Sequence, residues 1–142
     1  MIITFERAQG DNSTVPYYTF KIDGLPSKAL GPHKRSNPYE YNRLFSELKT
    51  AAWAEAKNAK IPLLKYVTVQ LTFIVHQKRA RDDSNWLCRA GAIFDGLKAA
   101  GVIKDDSEEY LSHAKPKYVV DKKQKPGVIV DIWEGRLPKE VE

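Results

Sequence analysis

The sequence predicts a small α+β domain, a mixed β-sheet with two main helices packed on it. Three observations carry this. Two segments alternate apolar and polar residues with period two, two segments repeat apolar residues at helical spacing, and the order reads strand, helix, strand, helix, strand, strand. A length of 142 residues sets one domain, expected over 1–134 with 135–142 as a loose tail.

The segment Tyr17-Tyr-Thr-Phe-Lys-Ile-Asp23 alternates and is rich in β-formers, so it reads as a first strand, ended by Gly24 and Pro26. Leu25 to Ser36 reads as a loop punctuated by Gly31 and Pro32. It carries the basic run His33-Lys34-Arg35 and is long enough to contact a ligand. Asn37-Pro38-Tyr39-Glu40 starts a helix: Asn caps, Pro suits the first turn, and Glu three residues on completes a capping box. Tyr41, Leu44, Phe45, Leu48, Ala52 and Ala56 then recur at helical spacing, with an end expected near Asn58.

Lys65 to His76 is the clearest strand. Val67, Val69, Leu71, Phe73 and Val75 fall on one face; Tyr66, Thr68, Gln70, Thr72 and His76 fall on the other. A second helix is expected from Asn85 to Ala100, with Trp86, Ala90, Ile93, Phe94 and Leu97 as its buried stripe and Gly101 as its stop. Val102-Ile103 is a short apolar return. Tyr118-Val-Val and Val128 to Trp133 read as two last strands around a basic turn holding Pro126-Gly127.

Composition narrows the function. Apolar runs are too short to cross a bilayer, so no membrane partner is expected. No secretory leader is visible at the start, and the single Cys88 fits a reducing compartment, so a cytoplasmic location is expected. The three histidines lack zinc spacing, no Gly-rich phosphate loop occurs, and no Gly-x-Ser-x-Gly elbow is present. A formal charge of +5 permits a nucleic-acid partner. Basic residues gather at Lys34-Arg35, at Lys78-Arg79 with Arg81, and at Lys115 and Lys117, all candidates for DNA phosphate.

Carboxylates lie among these cations. Asp82-Asp83 closes the basic loop just before the second helix, and Asp105-Asp106 follows the return after it. Mg²⁺ takes hard oxygen ligands and keeps several waters, so carboxylates on element ends suit it. Such an ion can activate water and stabilise the departing oxygen of a phosphodiester. Acidic pairs within a basic surface therefore point to a nuclease. The structural alternative is that Asp82, Asp83 and Ser84 cap the helix and that Asp105-Asp106-Ser107 is a polar turn. Asp95, among apolar helix positions, reads as a hydrogen-bonded structural residue. Trp86 and Tyr110 read first as core, and second as stacking platforms for bases.

Three pieces stand in order: Arg81-Asp82-Asp83-Ser84-Asn85, Phe94-Asp95-Gly96-Leu97, and Ala100-Gly101-Val102-Ile103-Lys104-Asp105-Asp106-Ser107. Together they resemble the RusA family of Holliday junction resolvases. That family carries Arg-Asp-x-Asp-Asn before a helix, Asp-x-Leu within it and Gly-(Val/Ile)-x-x-Asp-Asp after it. The resemblance implies a RusA-like fold and a homodimeric, Mg²⁺-dependent endodeoxyribonuclease of recombination and repair, common in phages and prophages. Such an enzyme resolves four-way DNA junctions by paired nicks. Mn²⁺ is the other ion expected to serve.

Carried over by position, Asp82 and Asp106 hold the metal, with Asp105 as a further metal-site residue and Asp83 in support. Asn85 and Asp95 match motif positions. Two positions depart from the pattern. Ser84 stands where the motif has its second Asp. The family's basic residue on the following helix falls at Gly91; Arg89 is the nearest candidate to stabilise transition-state charge, about 200° away around the helix. Ser84 also supports a different class of function, an impaired homologue that binds branched DNA without cutting it. A basic α+β binding module whose carboxylates are only caps is the third reading.

Spacing bears on where a site can form. A helix over 85–100 is about 24 Å long, and 101–105 can return at most about 16 Å. Asp82 and Asp106 thus start at opposite ends. Closure within one subunit is possible but demanding, whereas a two-fold dimer with antiparallel helices could bring Asp82 of one chain near Asp106 of the other, so the site is expected at or near the dimer interface.

Overall fold

The central strand, Val67–Val75 (β2), is buried along its whole length in the computed structural model, which describes residues 17–32 and 37–135. Its valines, Leu71 and Phe73 on one face enter the main core. The sequence predicts a polar second face, and that face is buried too. Thr68 and Gln70 are held there by hydrogen bonds to main-chain carbonyls, Thr68 Oγ1 to Gly135 O at 2.7 Å and Gln70 Nε2 to Lys115 O at 2.9 Å. Such partners are what makes burial of these groups tolerable.

Strand Tyr17–Asp23 (β1) pairs antiparallel with the last strand, Gly127–Glu134 (β5), and β5 pairs antiparallel with β2. Two short strands, Leu111–His113 (β3) and Lys117–Val120 (β4), run parallel to β2 along its other edge, one after the other. The sheet is therefore mixed, with five strands in the order β1–β5–β2–β3 and β4 beside β3 on β2. β3 is absent from the sequence-based expectation, because three residues carry no periodicity.

Helix Pro38–Asn58 (α1) starts as its sequence dictates, with the Asn37 side chain accepting from the Glu40 N–H at 3.1 Å. The single helix expected over 85–100 is instead two: Asp83–Arg89 (α2) and Gly91–Ala99 (α3). They break at Ala90, whose φ of −91° and ψ of 5° leave the helical region. Gly91 directly follows the break and favours it, since glycine gains nothing from a helical backbone. Ala90 itself is fully buried, so the kink keeps both stripes on the core. The expected stop at Gly101 holds. Gly101 has a φ of +82°, its N–H reaches Lys98 O, and the Val102 N–H reaches Leu97 O, which closes a Schellman motif. Among the described residues no helix is long and apolar enough to cross a membrane.

Candidate functional site

Asp82 is the N-cap of α2. Its Oδ1 accepts the N–H groups of Ser84 at 2.9 Å and Asn85 at 3.4 Å. The capping alternative is thus realised for this residue. Its second oxygen takes no hydrogen bond among the described residues, and the side chain is exposed. Asp83, half-buried, is held by the Tyr118 hydroxyl at 2.8 Å and lies 3.9 Å from the Lys115 ammonium. Burial, then the hydrogen bond to Asp83, pushes the Tyr118 hydroxyl above its ordinary pKa, so it stays protonated and donating at neutral pH.

The basic loop before Asp82 is built around Arg81. This guanidinium donates to Gln77 O at 2.9 Å and Arg79 O at 3.2 Å, and it stands 5.7 Å from the ring centres of both Trp86 and Tyr118. Arg81, expected to reach phosphate, therefore shapes the loop from inside. Lys78 and Arg79 remain exposed beside it. Trp86 packs edge-on against both Tyr118 and Phe73, and Tyr118 stacks on Phe73, which fixes α2 to the sheet. Arg89 lies 4.4 Å from the Trp86 ring centre. Burial, then the nearby Arg79 charge, lowers its pKa. It thus belongs with the basic loop and the Gly31 turn, which its side chain approaches. Lys34 and Arg35 lie outside the described residues.

At the other end, Lys98 organises the acids. Its ammonium is 3.1 Å from Asp105 Oδ1, and Asp106 and Asp95 add their charges to its surroundings. The Asp105 pair raises the Lys98 pKa, and the same bond, with the Asp106 N–H and the Ser107 hydroxyl, holds Asp105 below the usual carboxylate range. Asp105 is accordingly a loop-fixing residue, while Asp106 is exposed. His113 stacks edge-on against Phe94 with ring centres 4.5 Å apart; desolvation lowers its pKa and Asp106 opposes that. The loop after α3 therefore folds back along the helix, so that Asp106 lies near the level of Phe94.

The two acidic groups occupy separate levels of one track. Asp83 meets Tyr118, and Phe94 meets His113. Asp83 lies on α2 and Phe94 on α3, on either side of the break at Ala90, while His113 and Tyr118 lie on the successive strands β3 and β4. Among the described residues, no three His, Cys, Asp or Glu side chains gather to hold a metal ion. Asp82 and Asp106 sit on different elements, one as the cap of α2 and one in the loop after α3. Each end does offer an exposed carboxylate, and Mg²⁺ is commonly bound through one or two carboxylates with water and substrate phosphate. The exposed carboxylates are oxygen donors of the kind Mg²⁺ takes.

Lys115 and Lys117 are exposed on the segment that joins the two levels. Ser84 is exposed in the first turn of α2, and Asn85 is engaged by its N–H with Asp82. Tyr118 and His113, which position or border the acids, were not singled out from sequence. Nothing in the local pattern marks them; only the parallel pairing of β3 and β4 with β2 brings them to α2 and α3. No protein-family model matches this chain, and no curated protein matches it.

Proposed function

We propose that this chain is a metal-dependent, structure-selective endodeoxyribonuclease, acting as a homodimer on four-way DNA junctions. The observation that carries the reading is the track itself. Exposed Asp82 and Asp106 lie at its two levels, with Lys78 and Arg79 beside one and Lys115 and Lys117 between them. Cations of this kind attract the phosphate backbone, and the carboxylates suit a divalent ion. The motif resemblance to RusA resolvases supports the same reading. When bound, the ion would lower the pKa of a water and stabilise the leaving oxygen. The chain's own residues do the rest. Asp82 and Asp106 hold the ion, Tyr118 and Lys98 fix Asp83 and Asp105 behind them, and the basic loop orients the strand.

On this reading the site lies across a two-fold axis, Asp82 from one subunit and Asp106 from its partner, because the described residues of one chain form no group of three metal ligands. The test is incubation of the purified protein with a labelled synthetic four-way junction and Mg²⁺. Paired nicks that vanish on chelation are expected, and no cleavage of junctions in either Mg²⁺ or Mn²⁺ would remove the nuclease assignment.

A second reading, a junction-binding homologue that does not cut, is favoured by Ser84. Its hydroxyl is a neutral, weaker ligand at the position where the motif has a carboxylate. Ser84 is exposed in the first turn of α2, so Ser84→Asp adds a charge without burying it. Cleavage by Ser84→Asp should exceed that of the parent by about tenfold or more, on the scale of 1.4 kcal/mol of added transition-state stabilisation. Equal or lower rates in a junction-nicking time course would show that position 84 does not face the ion.

A further inference from the structure

The loop that carries Asp105 and Asp106 also walls a cavity of about 440 Å³, lined by Leu63, Leu64, Lys65, Lys104 and Tyr110. Main-chain bonds build it. The Leu64 N–H reaches Val102 O at 2.8 Å, the Val67 N–H reaches Tyr110 O at 3.0 Å, and the Tyr110 N–H reaches Ser107 O at 2.9 Å. Both ends of the loop are thereby tied to the start of β2, and the pocket is preformed. Leu63 is 66% exposed, so its side chain is not part of the core. A lone exposed leucine is ordinary, but this one borders a recess with a tyrosine ring and two cations. Lys104 Nζ stands 5.9 Å from the Tyr110 ring centre, at the outer limit of a cation–π contact. Among the described residues neither Lys65 nor Lys104 is in an ion pair.

An aromatic ring and aliphatic walls between two such cations complement a flat apolar ring with anions on either side. A nucleobase flanked by its phosphates has that form. The position also suits it. Lys104 is two residues from Asp106, at most about 7 Å of chain, or roughly two nucleotide steps of a strand at 3.4 Å each.

We propose that this pocket receives an unpaired nucleobase from the branch point of a DNA junction, the base resting on Tyr110 and Leu63 and its phosphates on Lys65 and Lys104. The proposal rests on the nuclease reading above and adds a device for telling a branch from a continuous duplex. Extruding a base costs least where pairing is already broken, so only branched or frayed DNA fills the pocket readily.

The test uses the full chain, a four-way junction with 2-aminopurine at the branch point, and a linear duplex of the same sequence. With the parent protein, binding changes the 2-aminopurine fluorescence on the junction. Tyr110→Ala should lower the junction-to-duplex affinity ratio about tenfold, within the range that loss of one base–aromatic stack produces, and should abolish the fluorescence change. Lys65→Ala with Lys104→Ala should reduce the slope of log K against log salt by roughly 0.7 for each phosphate no longer neutralised. Leu63→Ser, at an exposed position where folding is little affected, should lower the ratio severalfold and decides the matter if Tyr110→Ala fails to fold. If the parent prefers and cuts junctions while Leu63→Ser and the lysine variants match it in ratio and salt slope, the pocket assignment is overturned and the nuclease reading stands. If the parent shows no preference for the junction over duplex, both fall together.

Discussion

Asp82→Asn is expected to abolish junction cleavage while leaving the fold intact. The separation of the two effects comes from the cap. The substituted amide keeps an Oδ1 that can accept from the Ser84 and Asn85 N–H groups, as the Asp82 carboxylate does now, and Asn and Asp cap helices about equally well. What disappears is the negative charge toward the metal. A bound ion contributes several kcal/mol of charge stabilisation in the transition state, so cleavage should fall by at least about a hundredfold, which corresponds to roughly 2.7 kcal/mol. Asp82→Ala removes the cap as well and should cost about 1 kcal/mol of stability in addition. Asp106→Asn should match Asp82→Asn in activity, since Asp106 is exposed and caps no helix in the described fold. Nicking of a labelled junction, measured alongside thermal unfolding, checks both halves. Undiminished cleavage by either Asn variant would remove that residue from the metal site.

The largest expected effect on stability is at Gly96. A Cβ at this position would lie 2.6 Å from Lys49 O, 2.7 Å from Ala52 Cβ and 3.1 Å from Trp53 N. Two of these are main-chain atoms of α1, which no side-chain rotation relieves. Gly96 is therefore the point where α3 lies directly on α1, and Ala52, itself fully buried, is the facing residue. Gly96→Ala must push the helices apart or bend one of them. Overpacking of this kind costs about 1–3 kcal/mol and occasionally more, and at the upper end Tm should fall by roughly 10 °C for a domain of this size. Gly91 provides the contrast. Its added Cβ meets nothing within 4 Å, so Gly91→Ala should leave Tm within about 2 °C of the parent. A Gly96→Ala protein as stable as the parent would mean that α1 and α3 do not pack as described.

Much of the architecture is legible from local signals. The capping box at Asn37, the alternation of β1, the run of β2 and the glycine stop at Gly101 each have a mechanism within a few residues, and each appears in the fold. What escaped local reading depends on distant partners. On either side of the break at Ala90, α2 meets the sheet through Trp86 and Phe73, and α3 meets α1 at Gly96. β3 exists only because β2 offers it an edge. The second face of β2 looks polar by pattern yet is buried, because Gly135 O and Lys115 O accept from Thr68 and Gln70.

The candidate site divides in the same way. The acidic residues were visible as pairs beside basic runs. Their separate duties were not: Asp105 belongs to Lys98 and Asp83 to Tyr118, which leaves Asp82 and Asp106 as the exposed carboxylates of the two pairs. Arg81 illustrates the limit most clearly. In sequence it is one more cation of a phosphate-binding loop, whereas in the fold its guanidinium ties that loop to Trp86, Tyr118 and two carbonyls.

A mixed-subunit experiment tests the shared metal site most directly. Asp82→Asn and Asp106→Asn chains, carrying different tags, are co-expressed and the hybrid dimer is purified. If Asp82 of one subunit and Asp106 of its partner hold the ion, each hybrid has one site with both carboxylates and one with neither. The hybrid should then nick one strand of a four-way junction at a rate near that of a single parental site, although each variant alone is inert. An inert hybrid beside an active parent enzyme would contradict the shared site, because it would mean that both carboxylates must come from the same chain.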